Sequence, residues 1–244
     1  MNTTTIGARL SRQGLKAMYA NGVTNGQEQG TIGESYLNSI RDQADVSAEK
    51  GVAKAASTAC RSITTWRAQV ALADSAMNTI AAGIAGPVGP AIAAASRGAM
   101  FSHILQKGQD QGVIGQSALA SVHNETEDSA EKALAETAYK ACSGVNQWRG
   151  QVAVADAALQ AIQNGLGSDL GDTLASVGHQ AVYSPHISTI HDQAVVGMRF
   201  TEAVARYSDD QEQKAAAEAA LSAASRVTTA RSQVGILGEF LAGR

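Results

Sequence analysis

Ile63-Thr-Thr-Trp66-Arg67-Ala-Gln69-Val70 returns 82 residues later as Val145-Asn-Gln-Trp148-Arg149-Gly-Gln151-Val152, and after a further 82 as Val227-Thr-Thr-Ala230-Arg231-Ser-Gln233-Val234. The same offset carries Gly26-Gln-Glu-Gln29-Gly-Thr-Ile32-Gly33 onto Gly108-Gln-Asp-Gln111-Gly-Val-Ile114-Gly115, and Ile6-Gly7 onto Val88-Gly89 and then Leu170-Gly171. Three tandem copies, at residues 1–82, 83–164 and 165–244, account for the chain without a gap. A single catalytic centre needs one asymmetric constellation, whereas triplication multiplies a surface. The repeat therefore points first to a protein of assembly or binding.

Around the quoted stretch runs an apolar seam in steps of four and three: Val52, Ala56, Ala59, Ile63, Trp66, Val70, Ala73, Met77, Ile80, Ile84. The second copy repeats it from Leu134 to Leu166 and the third from Ala216 to Leu241. Steps averaging 3.5 residues keep one face toward a partner helix, as in a coiled coil. The pattern predicts one long helix per copy, a rod of about 45–50 Å at 1.5 Å per residue. Acidic stretches at 42–49, 124–131 and 209–212 precede the seam, where negative charge favours a helix N-terminus, or else lie within a still longer helix that begins near Gly33. The first half of a copy predicts a shorter helix, from Ile6 to Ala20 and from Ala91 to Gln106, with Asn21-Gly22 as a stop. In the third copy Pro185 is expected to kink or shorten the equivalent helix. The expected fold is all-α: three repeats, each a short helix plus a long coiled-coil-like helix, packed as an elongated bundle.

Composition agrees. Alanine supplies 47 of the 244 residues and aromatics only 4%, so the core must come from closely approaching helices rather than large side chains. A net charge of −3 gives no basic footprint for nucleic acid, and specific binding to it is not expected. No signal peptide is expected at the N-terminus. The uncharged stretch from Ser75 to Ser96 is long enough to span a bilayer, yet it is mostly alanine and holds Gly83, Gly86, Pro87, Gly89 and Pro90. It reads either as a membrane contact or as a helix end, a turn and the next helix start. Cys60 and Cys142, equivalent positions in two copies, read as reduced, buried small hydrophobes.

Positions identical in all three copies include Gly7, Ala17, Gln29, Gly33, Ala56, Ala59 and Val70, and three polar ones that carry more information. These are Lys50, Lys132 and Lys214; Arg67, Arg149 and Arg231; and Gln69, Gln151 and Gln233. They are candidates either for contact with a protein partner, offered three times, or for fixing helix register inside the fold. Trp66 and Trp148 fall on the seam and are expected in the core. His179, His186 and His191, with Asp192, lack the i, i+4 spacing of a helical metal pair, and no metal or cofactor is expected. GxxxxGK[ST], GxSxG, HExxH and CxxC are all missing, which leaves a non-enzymatic reading.

Gly30-Thr-Ile-Gly33-Glu34-Ser35-Tyr-Leu37, echoed by Gly112-Val-Ile-Gly115-Gln116-Ser117-Ala-Leu119, resembles segments of the internal virion or ejection proteins of short-tailed bacteriophages. Long alanine-rich helices and Gln- and Gly-rich connections resemble that class too. The resemblance implies a virion component that forms multimers near the portal and tail and passes into or through the host envelope during genome ejection. It implies no catalytic residue. Two other expectations stand beside it: a cytoplasmic helical-repeat module that binds a protein partner, and a membrane-active helical protein that uses the stretch from Ser75 to Ser96. Protein partners, with a homo-oligomer among them, are expected in the first two cases.

Overall fold

The computed structural model describes residues 4–243, and every regular element among them is an α-helix. The first copy forms α1 (Ile6–Met18), α2 (Gly26–Gln43), α3 (Ser47–Ser62) and α4 (Trp66–Ala82). The second forms α5 (Val88–Met100), α6 (Gly108–Glu125), α7 (Ser129–Gly144) and α8 (Trp148–Asn164), and the third α9 (Leu170–Val182), α10 (Ile190–Tyr207), α11 (Gln211–Arg226) and α12 (Ala230–Ala242). Helix starts thus recur at the offset seen in the sequence.

Each copy holds four helices where two were expected. The seam does not run through one rod, because residues 63–65 are extended: Ile63 has φ −110°, ψ 135° and Thr65 φ −97°, ψ 130°. The β-branched run Ile63-Thr64-Thr65 favours extended backbone there, and the second copy breaks at the same place with Val145-Asn146-Gln147. The 3.5-residue spacing survives the break because both flanking helices turn the same face inward. Nor does a longer helix begin near Gly33; the chain leaves the helix at residues 44–46, where Ala44 and Val46 are extended. Glu49 and Glu131 stand in the first turns of α3 and α7, where the helix dipole favours them. Pro185 does not shorten its helix: α9 has the same 13 residues as α1 and α5, and the proline lies in the turn beyond.

The stretch from Ser75 to Ser96 is the end of α4, a turn and the start of α5. Gly83 ends α4 at φ 92° and Gly165 ends α8 at φ 84°, a conformation that other residues adopt only with strain. Among the described residues no helix is long and apolar enough to cross a membrane.

Two compact units form, residues 1–126 and residues 127–244. In the first, the hairpin α1–α2 packs on α3–α4, and α3–α4 packs in turn on α5–α6. In the second, α7–α8 packs on α9–α10, and α9–α10 on α11–α12. The second copy therefore contributes one hairpin to each unit. The core of the first unit is Met18, Leu37, Ile40, Met77, Ile80, Ile92 and Ile114, set among alanines. Close approach is enforced by Gly33, one of the residues identical in every copy: a Cβ there would stand 2.5 Å from the Cβ of Ala73 on α4.

The seam alanines differ by location. Ala59 and Ala141 are buried, whereas Ala223, the same position in α11, is exposed. Enlarging Ala59 or Ala141 to Leu should overpack its unit and cost about 1–3 kcal/mol in urea unfolding, while Ala223→Leu should leave the midpoint nearly unchanged.

Candidate functional site: the joint between hairpins

The break at residues 63–65 leaves the last carbonyls of α3 without helical partners. Gln69, one turn into α4, turns its amide back to them: Nε2 donates to the carbonyl of Ile63 at 3.2 Å and to that of Cys60 at 3.5 Å. Gln151 does the same to Val145 at 3.0 Å, and Gln233 reaches Ala224 at 3.4 Å. Beneath each bend in the first two copies sits a cysteine. The Cys142 thiol donates to the Gln151 carbonyl at 3.3 Å, and Cys60 points to that of Gln69 at 3.9 Å. Burial pushes both thiols up to about 12.

The tryptophans are not in the core. Trp66 is 38% and Trp148 39% exposed, since each opens its helix at the edge of the bend rather than facing inward. Arg67 lays its guanidinium over the Trp66 ring, 4.5 Å from the centroid, and Arg149 lies 5.1 Å from that of Trp148. The Trp66 ring also lies against Gly26, where any Cβ would collide with it. The third copy exchanges both partners, with Ala230 for the tryptophan and Ile190 for the glycine, so the bulk moves from one helix to the other. Arg231 is exposed. Of the lysines, Lys50 is exposed and Lys132 and Lys214 half-buried, each in the first turn of its helix.

The bend is also where one copy meets the next. Thr65 donates its hydroxyl to Asp110 Oδ2 at 2.5 Å, and Asp110 stands in the first turn of α6. In the next copy the acid recurs but the donor shifts by one residue: the backbone N–H of Asn146, which repeats Thr64, donates to Asp192 Oδ1 at 3.1 Å, in the first turn of α10. Both aspartates are buried, their charge set against a helix N-terminus. A second polar contact recurs at the far end of the same helices. Lys54 pairs with Glu125 at 2.6 Å, and at the equivalent positions the Tyr207 hydroxyl donates to Glu136 at 2.9 Å. Hydrogen bonds from Lys140 and Tyr207 hold the Glu136 carboxyl below its usual range.

The sequence reading did not single out Asp110, met Asp192 only beside the histidines and Glu49 only within the acidic stretch. The recurrence of an acid at Glu28, Asp110 and Asp192 was the available signal for the first two. Glu49 is buried over Gly7 and accepts from the N-cap hydroxyl of Thr5 at 2.5 Å, so the acidic stretch serves the start of α1 as well as that of α3. The histidines do not converge: His179 stacks obliquely on Tyr183, and no group of three His, Cys, Asp or Glu among the described residues could hold a metal ion. A cleft of about 300 Å³ lies beside the first bend, lined by Thr65, Trp66, Arg67, Lys107 and Asp110. What these residues offer is cation, ring and carboxylate for recognition.

Gln69→Ala strips the bend of its cap and should cost about 1 kcal/mol, measured by thermal unfolding. Thiol labelling of the native protein should be slow at both cysteines and fast after unfolding. The thiols add a pH dependence of definite sign. A group at about 12 when folded, against 9.0 when unfolded, contributes stability that is whole below pH 9 and is lost as pH rises toward 12. Cys60→Ala/Cys142→Ala should flatten that alkaline loss. The chain matches no protein-family model, no curated protein and no solved structure, so the use of this joint has to be argued from its own geometry.

Proposed function

We propose that the chain is a non-enzymatic assembly protein whose working form is a multimer. The observation that carries this reading is the joint itself, made twice to one plan: Thr65 to Asp110 and Asn146 to Asp192, Lys54 to Glu125 and Glu136 to Tyr207. The Lys54–Glu125 and Glu136–Tyr207 pairs stand at the same two positions of successive copies, and the two buried aspartates are equivalent, with the donor one residue earlier in the second copy. Such repetition extends a contact surface by like increments, which suits a scaffold of associating chains.

The finer setting, a bacteriophage virion component acting in genome ejection, is the part supported by the resemblance of the stretch from Gly30 to Leu37. That stretch also has work inside the fold, since Gly30 lies against Gln69 and Gly33 against Ala73. A second reading, a module that binds a different protein, is favoured by the exposed Trp66–Arg67 and Trp148–Arg149 stacks. Aromatic and arginine side chains left at a surface are common anchors of protein interfaces.

Negative-stain electron microscopy of the purified protein should show rings or tubes, and a field of compact monomers would overturn the assembly reading. Charge reversal at Arg67, Arg149 and Arg231 together separates the two uses of those arginines. If they are contacts, the triple variant should lose binding by more than any single change, through combined valency, with its melting temperature kept. If they only steady the bend, it should melt lower and assemble normally in the folded fraction.

A further inference from the structure

We propose that the α11–α12 hairpin of one molecule docks on the α1–α2 hairpin of a second copy, head to tail, so that the joint made twice within the chain is made again between chains. This rests on the assembly reading above and names its partner and surface.

One side of the joint is already formed and uncovered. In the first unit the face of α3 carrying Val52, Ala55 and Ala59 is buried, and in the second that of α7 carrying Leu134, Thr137 and Ala141 is buried. The same positions of α11, Ala216, Ala219 and Ala223, are exposed. On α12, Ile236 and Phe240 are half-buried where Leu72 and Ala76 of α4, and Val154 and Ala158 of α8, are buried. A hairpin whose outer face is meant for solvent carries polar residues there. This one keeps the small apolar surface of an inner joint.

The hairpin that covers such a surface inside the chain is the first of the following copy: α5–α6 on α3–α4, and α9–α10 on α7–α8. The first copy has the same type of hairpin, and among the described residues no further hairpin packs on its equivalent face. Leu10 and Ile32 there are half-buried, while Ile92 and Ile114, then Leu174 and Val196, are fully buried at the equivalent positions.

The polar contacts carry over with sense. Moving the Lys54–Glu125 and Glu136–Tyr207 pairs one copy further sets Glu218 against Gln43 of the next molecule. Moving Thr65–Asp110 likewise sets Thr229, which repeats Thr65, against Glu28, which repeats the acid. A third contact changes character. Within the first unit Ser75 lies against Gly98, with its hydroxyl donating to the Ala95 carbonyl at 2.7 Å. The equivalent residues on α12 and α1 are Glu239 and Lys16, both exposed and of opposite charge. A side chain at the glycine position is tolerated by this joint, since Gln180 occupies it in the second unit. Arg9 and Gln13 make the α1 face larger than those of α5 and α9, and Ala216 makes the α11 face smaller than those of α3 and α7.

Sedimentation velocity over a concentration series tests the proposal, with circular dichroism to show that each variant is folded. The wild-type chain should form larger species as concentration rises. Ala219→Glu, at an exposed site, should abolish them by spoiling the α11 face, and Arg9→Glu/Lys16→Glu should weaken them by spoiling the α1 face. Each of those variants keeps one good face, so mixing the two should give one-to-one dimers and nothing larger, the signature of a head-to-tail contact. Lys16→Glu and Glu239→Lys should each weaken association about fivefold, and their combination in one chain should restore it. Oligomers indifferent to Ala219→Glu and to Arg9→Glu/Lys16→Glu would overturn this surface while leaving the assembly reading standing. A wild-type chain that stays monomeric at every concentration would overturn both.

Discussion

Three extended residues, closed off by a glutamine amide, decide how the rest of the chain can pack. Without the break at residues 63–65 the seam would be one long helix and each copy would have three helices rather than four. With it, the seam folds into α3 and α4, and each copy becomes two hairpins that stack on neighbouring hairpins within a compact unit. Gln69, Gln151 and Gln233 hold that geometry by satisfying carbonyls that the broken helix leaves open. Without them, unpaired acceptors would lie at the point where two elements must turn together.

The second constraint is distance. A chain so rich in alanine and poor in aromatics gains little from any one side chain, and its helices are stabilised by approaching closely over their whole length. Gly33 against Ala73 shows how little room is left. Where a large ring does occur, the facing residue gives way, as Gly26 does under Trp66. The third copy carries the opposite assignment at the equivalent positions, Ile190 and Ala230.

The helical class and the offset between copies were legible because both are written in local terms: alanine content, apolar spacing and direct recurrence of residues. The break was not, since residues 63–65 continue the steps of four and three and a heptad count passes through them unchanged. The β-branched run Ile63-Thr64-Thr65 was the local warning. Trp66 was misplaced for the same reason, a seam position that ceases to face the core once the helix restarts. Pro185 was assigned to a helix although α9 ends at Val182, three residues earlier. Asp110 and Asp192 act between copies, and a contact of that kind leaves no pattern within one copy beyond the bare recurrence of an acid.

The boundaries of copy and of compact unit do not coincide: the second copy gives α5–α6 to one unit and α7–α8 to the other. What is inherited as one segment is therefore not what coheres as one body. A recombination that adds or removes a whole copy, at whatever residue the exchange occurs, rejoins one hairpin of each kind in the correct order. Every joint left after such an event still has both its halves. The number of joints can then drift with copy number while the chemistry of each is unchanged, so a chain of this design can be lengthened or shortened without inventing a new contact.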